Sequence, residues 1–303
     1  MFYFLSLLTG IIISVMVAVN SGLTEVYGVY PATVIIHIAG LLLISAVVIS
    51  KKDRLFYKNI PVFLYLGGAI GVLTTVFNNM AFGQISVSAI LALGLLGQSI
   101  AGLIIDQFGL FGMPKHSFTK GKLVGFVIIV GGIAYMIGQA EYLAIAAVIV
   151  SFIAGVNIVL SRSLNAKLAE RTSVYTSTFY NYAVGLTGSV IALGIFVAIR
   201  GGSGTFYGLT ITGHPWWIYF GGILGVCVVF ISNITAPKIS AFFLSLLIFV
   251  GKIFAGIVID YMLTSELSAH IVGGALVAVG LCVNLLMDNN SELNEKQSRP
   301  SGT

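Results

Sequence analysis

Residues 61–106 read PVFLYLGGAIGVLTTVFNNMAFGQISVSAILALGLLGQSIAGLIID, and residues 215–260 read PWWIYFGGILGVCVVFISNITAPKISAFFLSLLIFVGKIFAGIVID. Laid over one another without a gap, Pro61, Tyr65, Gly67, Gly68, Gly71, Val72, Asn79, Ile85, Ser86, Leu93, Gly97, Ala101, Gly102, Ile105 and Asp106 return as Pro215, Tyr219, Gly221, Gly222, Gly225, Val226, Asn233, Ile239, Ser240, Leu247, Gly251, Ala255, Gly256, Ile259 and Asp260. Roughly a third of the positions coincide, glycine, asparagine and aspartate among them, which a shared apolar composition would not align. The chain is a duplication. Within each copy, apolar runs of about twenty residues come in pairs joined by a short turn, the length an α-helix needs to cross ~30 Å of hydrocarbon.

Composition agrees. Of 303 residues, 58% are hydrophobic and 8% charged, with a mean hydropathy of +1.05, whereas soluble domains carry about a quarter charged residues. The basic excess sits between apolar runs and reads as a topology signal, not as a nucleic-acid surface. Cys227 and Cys282 fall in apolar runs with neither metal-ligand spacing nor a disulfide framework. Residues 1–20 lack the charged start and cleavage site of a signal peptide and are long enough to span.

The spans are expected at 2–20, 31–50, 61–80, 85–105, 122–139, 142–160, 174–199, 215–235, 239–260 and 267–287. That is an all-α membrane protein of ten transmembrane helices, divided into a five-helix repeat over 1–139 and a second over 140–287. Pro31, Pro61 and Pro215 fall at first-turn positions. Outside the quoted stretches, Ser14 and Asn20 align with Ser151 and Asn157, Thr33 and Gly40 with Thr178 and Gly185, and Gly125 and Gly132 with Gly273 and Gly280.

Loop charge orients the chain. Lys51, Lys52, Arg54, Lys58, Lys115, Lys120, Lys122, Arg162, Lys167, Arg171, Lys238, Lys296 and Arg299 fall on one side and only Arg200 on the other, so both termini are expected in the cytoplasm of a cell-membrane protein. An odd number of spans per copy then turns the second repeat upside down, the architecture of alternating-access carriers. Residues 288–303 are polar and read as a disordered tail; 201–213 form a glycine-rich external loop.

Gly97-Gln98, the run Asp106-Gln107-Phe108-Gly109-Leu110, Gly125 and Gly132 in the first copy, with Pro215-Trp216-Trp217, Gly221, Gly222 and Gly225 in the second, resemble the YdcZ-like branch of the drug/metabolite transporter superfamily. Asn20 and Asn157 resemble its first-helix asparagine, and Gly40 and Gly185 its second-helix glycine. The resemblance covers nearly the whole chain, and since most members of the branch resemble one five-helix copy, this chain looks like a fused pair. It implies a ten-helix transporter with a cavity between repeats. The copies depart from each other where Lys252 replaces Gln98 and where Tyr261-Met262 follows Asp260.

Neither HExxH, GxSxG nor GxxxxGK[ST] occurs, and His37, His116, His214 and His270 are scattered, so no enzyme, metal site, cofactor or nucleotide drive is expected. Close glycine spacings let helices approach where lipid gives no hydrophobic drive. Buried amides need partners or water, which makes Asn20, Asn78, Asn79, Asn157 and Asn233 candidates to line an outer and an inner vestibule. His37, with Tyr182 in the matching position, and Asn181 are candidates for the cavity wall, as is Gln98. Asp106 and Asp260 each end a helix, where a carboxylate opposes the dipole unless the following turn or a loop cation compensates.

Lys252 is an intramembrane cation, about 20 Å along its helix from Ile239. No carboxylate lies inside any span, which argues against an exporter of organic cations and for a neutral or anionic substrate. The expected partners are the bilayer and a small molecule, with a second copy of the chain allowed. A lipid flippase and a non-transporting membrane subunit are the competing readings.

Overall fold

The computed structural model describes residues 1–81, 87–113, 115, 127, 131, 145–200 and 213–264. Spans 122–139 and 267–287 fall outside those residues apart from positions 127 and 131, as do the tail, most of the 201–213 loop, and the side chains of Asn79 and Asp260. No strand occurs among the described residues. Eight helices do: α1 Phe2–Tyr27, α2 Val29–Lys51, α3 Gly67–Ala81, α4 Val87–Phe108, α5 Ile145–Arg171, α6 Val174–Arg200, α7 Gly221–Thr235 and α8 Ala241–Thr264. Five apolar segments are long enough to cross a membrane, namely α1, α2, α5, Val174–Ile199 and Trp216–Thr235; Val62–Asn78, Leu93–Phe108 and Ala241–Ala255 are shorter.

The breaks between helices follow from local chemistry. Gly28, at φ +77°, is the single residue separating α1 from α2, a conformation in which a Cβ is strained. Pro61 and Pro215 lie just outside their helices, not in the first turn. Each is extended, with φ/ψ of −58°/129° and −57°/128°, and each opens a 3₁₀ turn (Val62–Leu66, Trp216–Phe220) that runs into α3 or α7. At these two prolines the duplicated sequence takes the same backbone conformation to within a degree.

Apolar side chains fill the core and also cover the outside, unlike the surface of a soluble protein. Large apolar side chains point outward, such as Leu42, Ile49, Ile191, Ile195 and Ile199, while Ser6, Thr9, Gln98, Ser177, Thr178 and Asn233 are buried. An exterior of this kind needs hydrocarbon around it, and the backbone polar groups are satisfied inside each helix.

The packing interleaves the two halves of the chain. α1 lies against α7 and α8, and α5 lies in the corresponding way against α3 and α4. α2 packs on α6, and α4 on α8. Each of these interfaces joins an element before residue 139 to one after 140.

Candidate functional site

Helices α2 and α6 cross where each offers a glycine to the other's ring. Tyr182 lies over Gly40 and His37 over Gly185, the two ring centroids 5.8 Å apart. His37 Nδ1 donates to Thr33 O at 2.8 Å, and Tyr182 Oη donates to Gly222 O at 3.3 Å. Gly68 closes on the backbone of Asn181 and Gly185, and Gly222 on that of Ile36 and Gly40. The glycine contacts at this crossing thus have counterparts with the repeats exchanged, while the hydrogen bonds differ, His37 bonding within its own helix and Tyr182 reaching α7.

The same exchange corrects the register expected for the first helix of each copy. Gly10 closes on Ile248, Gly251 and Lys252 of α8, as Gly155 closes on Gly94 of α4. Gly221 lies against the Asn20 amide, and Gly67 against that of Asn165. Leu23 is packed with Ile218, and Leu168 with Leu64. The equivalent of Asn20 is accordingly Asn165, about two helical turns beyond Asn157. Asn157 itself is half-buried in the middle of α5.

The two equivalent asparagines are held differently. Asn165 Nδ2 donates to Asn181 Oδ1 at 2.7 Å; Ser161 Oγ donates to Gly67 O at 2.7 Å, and Ser177 Oγ to Asn165 O at 2.6 Å. Asn233 extends this network, its Nδ2 donating to Thr178 Oγ1 at 3.2 Å and to Ser177 Oγ at 3.3 Å. Beside it the α2–α3 loop is fastened to the start of α6: Ser173 Oγ donates to Asp53, Thr176 Oγ1 to Arg54 O at 2.6 Å, and Tyr180 Oη to Leu55 O at 3.1 Å. At the equivalent place in the other half, Asn20 Nδ2 makes no such bond among the described residues; the Oδ1 atoms of Asn20 and Asn165 are alike in being buried with no partner there. Further along α1, Leu23 and Tyr27 cluster with Ile218, and the hydroxyls of Tyr27 and Tyr219 are linked at 2.5 Å.

Because no side-chain hydrogen bond of Asn20 is seen among the described residues, Asn20→Leu should melt close to wild type, whereas Asn165→Leu removes the bond to Asn181 and should cost about 1–3 kcal/mol. Melting both in detergent, with the fold monitored by size exclusion, checks this; the reverse ranking would contradict the hydrogen-bond assignment.

Two cations lie in the interior. Lys252 is on α8 and half-buried, its ammonium within electrostatic reach of Arg162. Arg162 was expected in a cytoplasmic loop, and that expectation is corrected: α5 continues to Arg171, and Arg162 Nη1 donates to Ser245 Oγ of α8 at 3.2 Å. Gln98, which stands where Lys252 does in the other copy, is buried in α4. Asn78 is half-buried in α3.

The Asp106 carboxylate reaches across to another helix: it accepts from Ala241 N at 2.7 Å and Phe242 N at 3.0 Å, the opening amides of α8.

The structure thus gathers His37 with Tyr182, and Asn181 with Asn233 through Asn165 and Ser177, while Lys252 stands with Arg162 away from Asn20. Reading the sequence missed Arg162, Asn165, Ser161 and Ser245. For Asn165 the signal was present, since Gly10, Asn20, Thr33 and Gly40 precede Gly155, Asn165, Thr178 and Gly185 by one constant spacing.

No curated protein matches the chain. A solved crystal structure resembles it over 96% of this chain and 97% of the other, with a TM-score of 0.64 at 13% identity, a likeness of fold alone. The family described as "Putative inner membrane exporter, YdcZ" matches residues 1–135 and again 146–287. With both halves matched, the chain belongs to the YdcZ family of drug/metabolite transporters and is a multi-pass membrane protein that carries the family's unit twice.

Proposed function

We propose that the protein is a ten-span carrier of two inverted five-span repeats, with both termini cytoplasmic, moving a small neutral or anionic metabolite by alternating access. The family's description supports outward movement. One observation carries the mechanism. Asn20 on Gly221 and Asn165 on Gly67 are equivalent closures in the two halves, each with a buried Oδ1 that has no partner among the described residues, yet only Asn165 is also tied through its Nδ2, to Asn181.

An alternating-access protein needs two chemically comparable gates that are not closed alike at the same moment. With the termini inside, the Asn165 network is the cytoplasmic gate and the Asn20 contact the external one. The α2–α6 crossing at Gly40 and Gly185 is where the exchanged elements meet, and so supplies the pivot.

Purified protein in liposomes loaded with an isotope-labelled metabolite extract, diluted into unlabelled extract, should lose a small set of compounds faster than empty liposomes, with saturation. Asn20→Leu should slow that loss while leaving the protein folded. If every labelled compound leaves protein-containing and empty liposomes alike, the chain is no carrier and the fold serves assembly.

A further inference from the structure

Where the two repeats differ in charge inside the bundle, the differences meet. Arg162 occupies the position that Val17 holds in the first repeat, and Lys252 the position of Gln98. Both uncharged equivalents show that the fold does not require a cation at either place. Yet both cations are present and meet on one helix: Arg162 reaches across from α5 to Ser245 Oγ of α8 at 3.2 Å, and Lys252 stands seven residues, about two turns, further along α8, within electrostatic reach.

Like charges in a low-dielectric interior repel, and each also loses hydration, so such a pair persists only with something to offset it. Ser245 does not supply that. Its oxygen accepts from Arg162 at 3.2 Å and its own hydrogen goes to Ala241 O at 2.9 Å, which holds the guanidinium in place without neutralising it. The buried carboxylate on the facing helix is Asp106, and its two oxygens accept from the amides of Ala241 and Phe242. Among the described residues no carboxylate pairs with either cation; one guanidinium donor is engaged and none of the ammonium's.

Arg162 and Lys252 are half-buried. Val17 lies two turns beyond Gly10 on the face of α1 that packs on α8, and is nevertheless 54% exposed.

We propose that Arg162 and Lys252 form the anion-binding point of the transport path, taking a carboxylate or phosphate group of a small substrate between them. This rests on the carrier reading above for its role and names the substrate class. Arg162, fixed by Ser245, offers a planar fork to two oxygens; Lys252 adds a compact charge on a flexible stem. The bound anion supplies the compensation that the protein withholds.

The test needs no known substrate. In a Cys227→Ser, Cys282→Ser background, Val17→Cys is treated with anionic and cationic methanethiosulfonates of similar size that do not cross membranes, and the rate ratio is normalised to that of free mercaptoethanol. The anionic reagent should be favoured about tenfold, and neutralising either cation should reduce the preference severalfold. Lys252→Gln installs the residue the first repeat already carries, so the comparison survives even if Arg162→Gln does not fold. A ratio at or below unity, a ratio untouched by Lys252→Gln, or a thiol that neither reagent reaches overturns the proposal.

Slower modification with millimolar succinate or inorganic phosphate places the occupant in water; slowing only when phosphatidylglycerol is added to neutral nanodiscs places it on a lipid headgroup. Protection by none of them overturns the carboxylate or phosphate assignment. Absent metabolite exchange with an intact anionic preference would refute the carrier and leave the anion point standing, and the opposite pair of results would do the reverse.

Discussion

Gly155→Ala is expected to cut the yield of folded protein sharply, while Gly194→Ala on α6 leaves it unchanged or slightly higher. A Cβ at Gly155 would stand 2.8 Å from Gly94 C and 2.9 Å from its Cα, with the Gly94 carbonyl oxygen closer still. These are backbone atoms of α4, so no rotamer change relieves the clash and the two helices must separate. Overpacking where side chains can yield costs about 1–3 kcal/mol; here the upper end is expected, with a fall in melting temperature of roughly 5–10 °C. Gly10→Ala should behave alike, because it meets Lys252 N at 2.8 Å and Gly251 Cα at 2.9 Å on α8. At Gly194 a Cβ meets nothing within 4 Å, and alanine gains up to about 1 kcal/mol of helix propensity. Fluorescence-detected size exclusion after heating reads all three. Equal melting temperatures for Gly155→Ala and Gly194→Ala would mean that the close approach of α4 and α5 does not hold the bundle together.

These glycines also show what the sequence could and could not reveal. Their spacing marked close helix contacts, but not the partner: Gly97 and Gly251 were legible as a repeated pair, whereas their neighbours, Phe152 and Leu7, belong to the opposite repeat. Interleaving of this kind is a property of three-dimensional exchange and leaves no local signature. The register of α1 and α5 was misread for a different reason. In an apolar helix serine and asparagine recur often enough that Asn20 with Asn157 looks as good as Asn20 with Asn165 when single pairs are compared. A whole run at constant spacing decides it, through Ser6 and Ser151, Glu25 and Glu170, Tyr30 and Tyr175, and Leu41 and Leu186.

Arg162 was hidden by the hydropathy pattern, since polar residues from Ser161 to Ser163 look like the end of a span. Their partners, Gly67 O and Ser245 Oγ, are far away in sequence. Lys252 stood out because α8 is apolar on both sides of it.

Asp106→Ala should lower stability more than any other single polar substitution considered for this protein. At the end of its own helix the carboxylate meets the negative pole of the α4 dipole, an unfavourable place for an anion. Its oxygens instead reach the first turn of α8, where the pole is positive and the amides have no partner within the helix. Ala241 N and Phe242 N are taken by Asp106, Phe243 N by Ser240 Oγ at 3.2 Å, and Leu244 N returns to Ser240 O at 2.9 Å. The whole opening turn is thereby satisfied, by two residues from different repeats. Removing the carboxylate leaves two amides without acceptors beside side chains that are 7% and 0% exposed, at about 1–3 kcal/mol each. Asp106→Asn keeps one acceptor oxygen and turns an amide donor toward the other N–H, so it should fall between alanine and wild type. Ser240→Ala removes one cap and should cost about 1 kcal/mol. The expected order of melting temperatures in detergent is wild type, Ser240→Ala, Asp106→Asn, Asp106→Ala. The duplication extends the expectation to Asp260→Ala, whose equivalent amides are those of Val87 and Ser88 at the start of α4. If Asp106→Ala melts with Ser240→Ala, the carboxylate is not what fastens α8 to α4, and the recurrence of aspartate in both copies needs another cause.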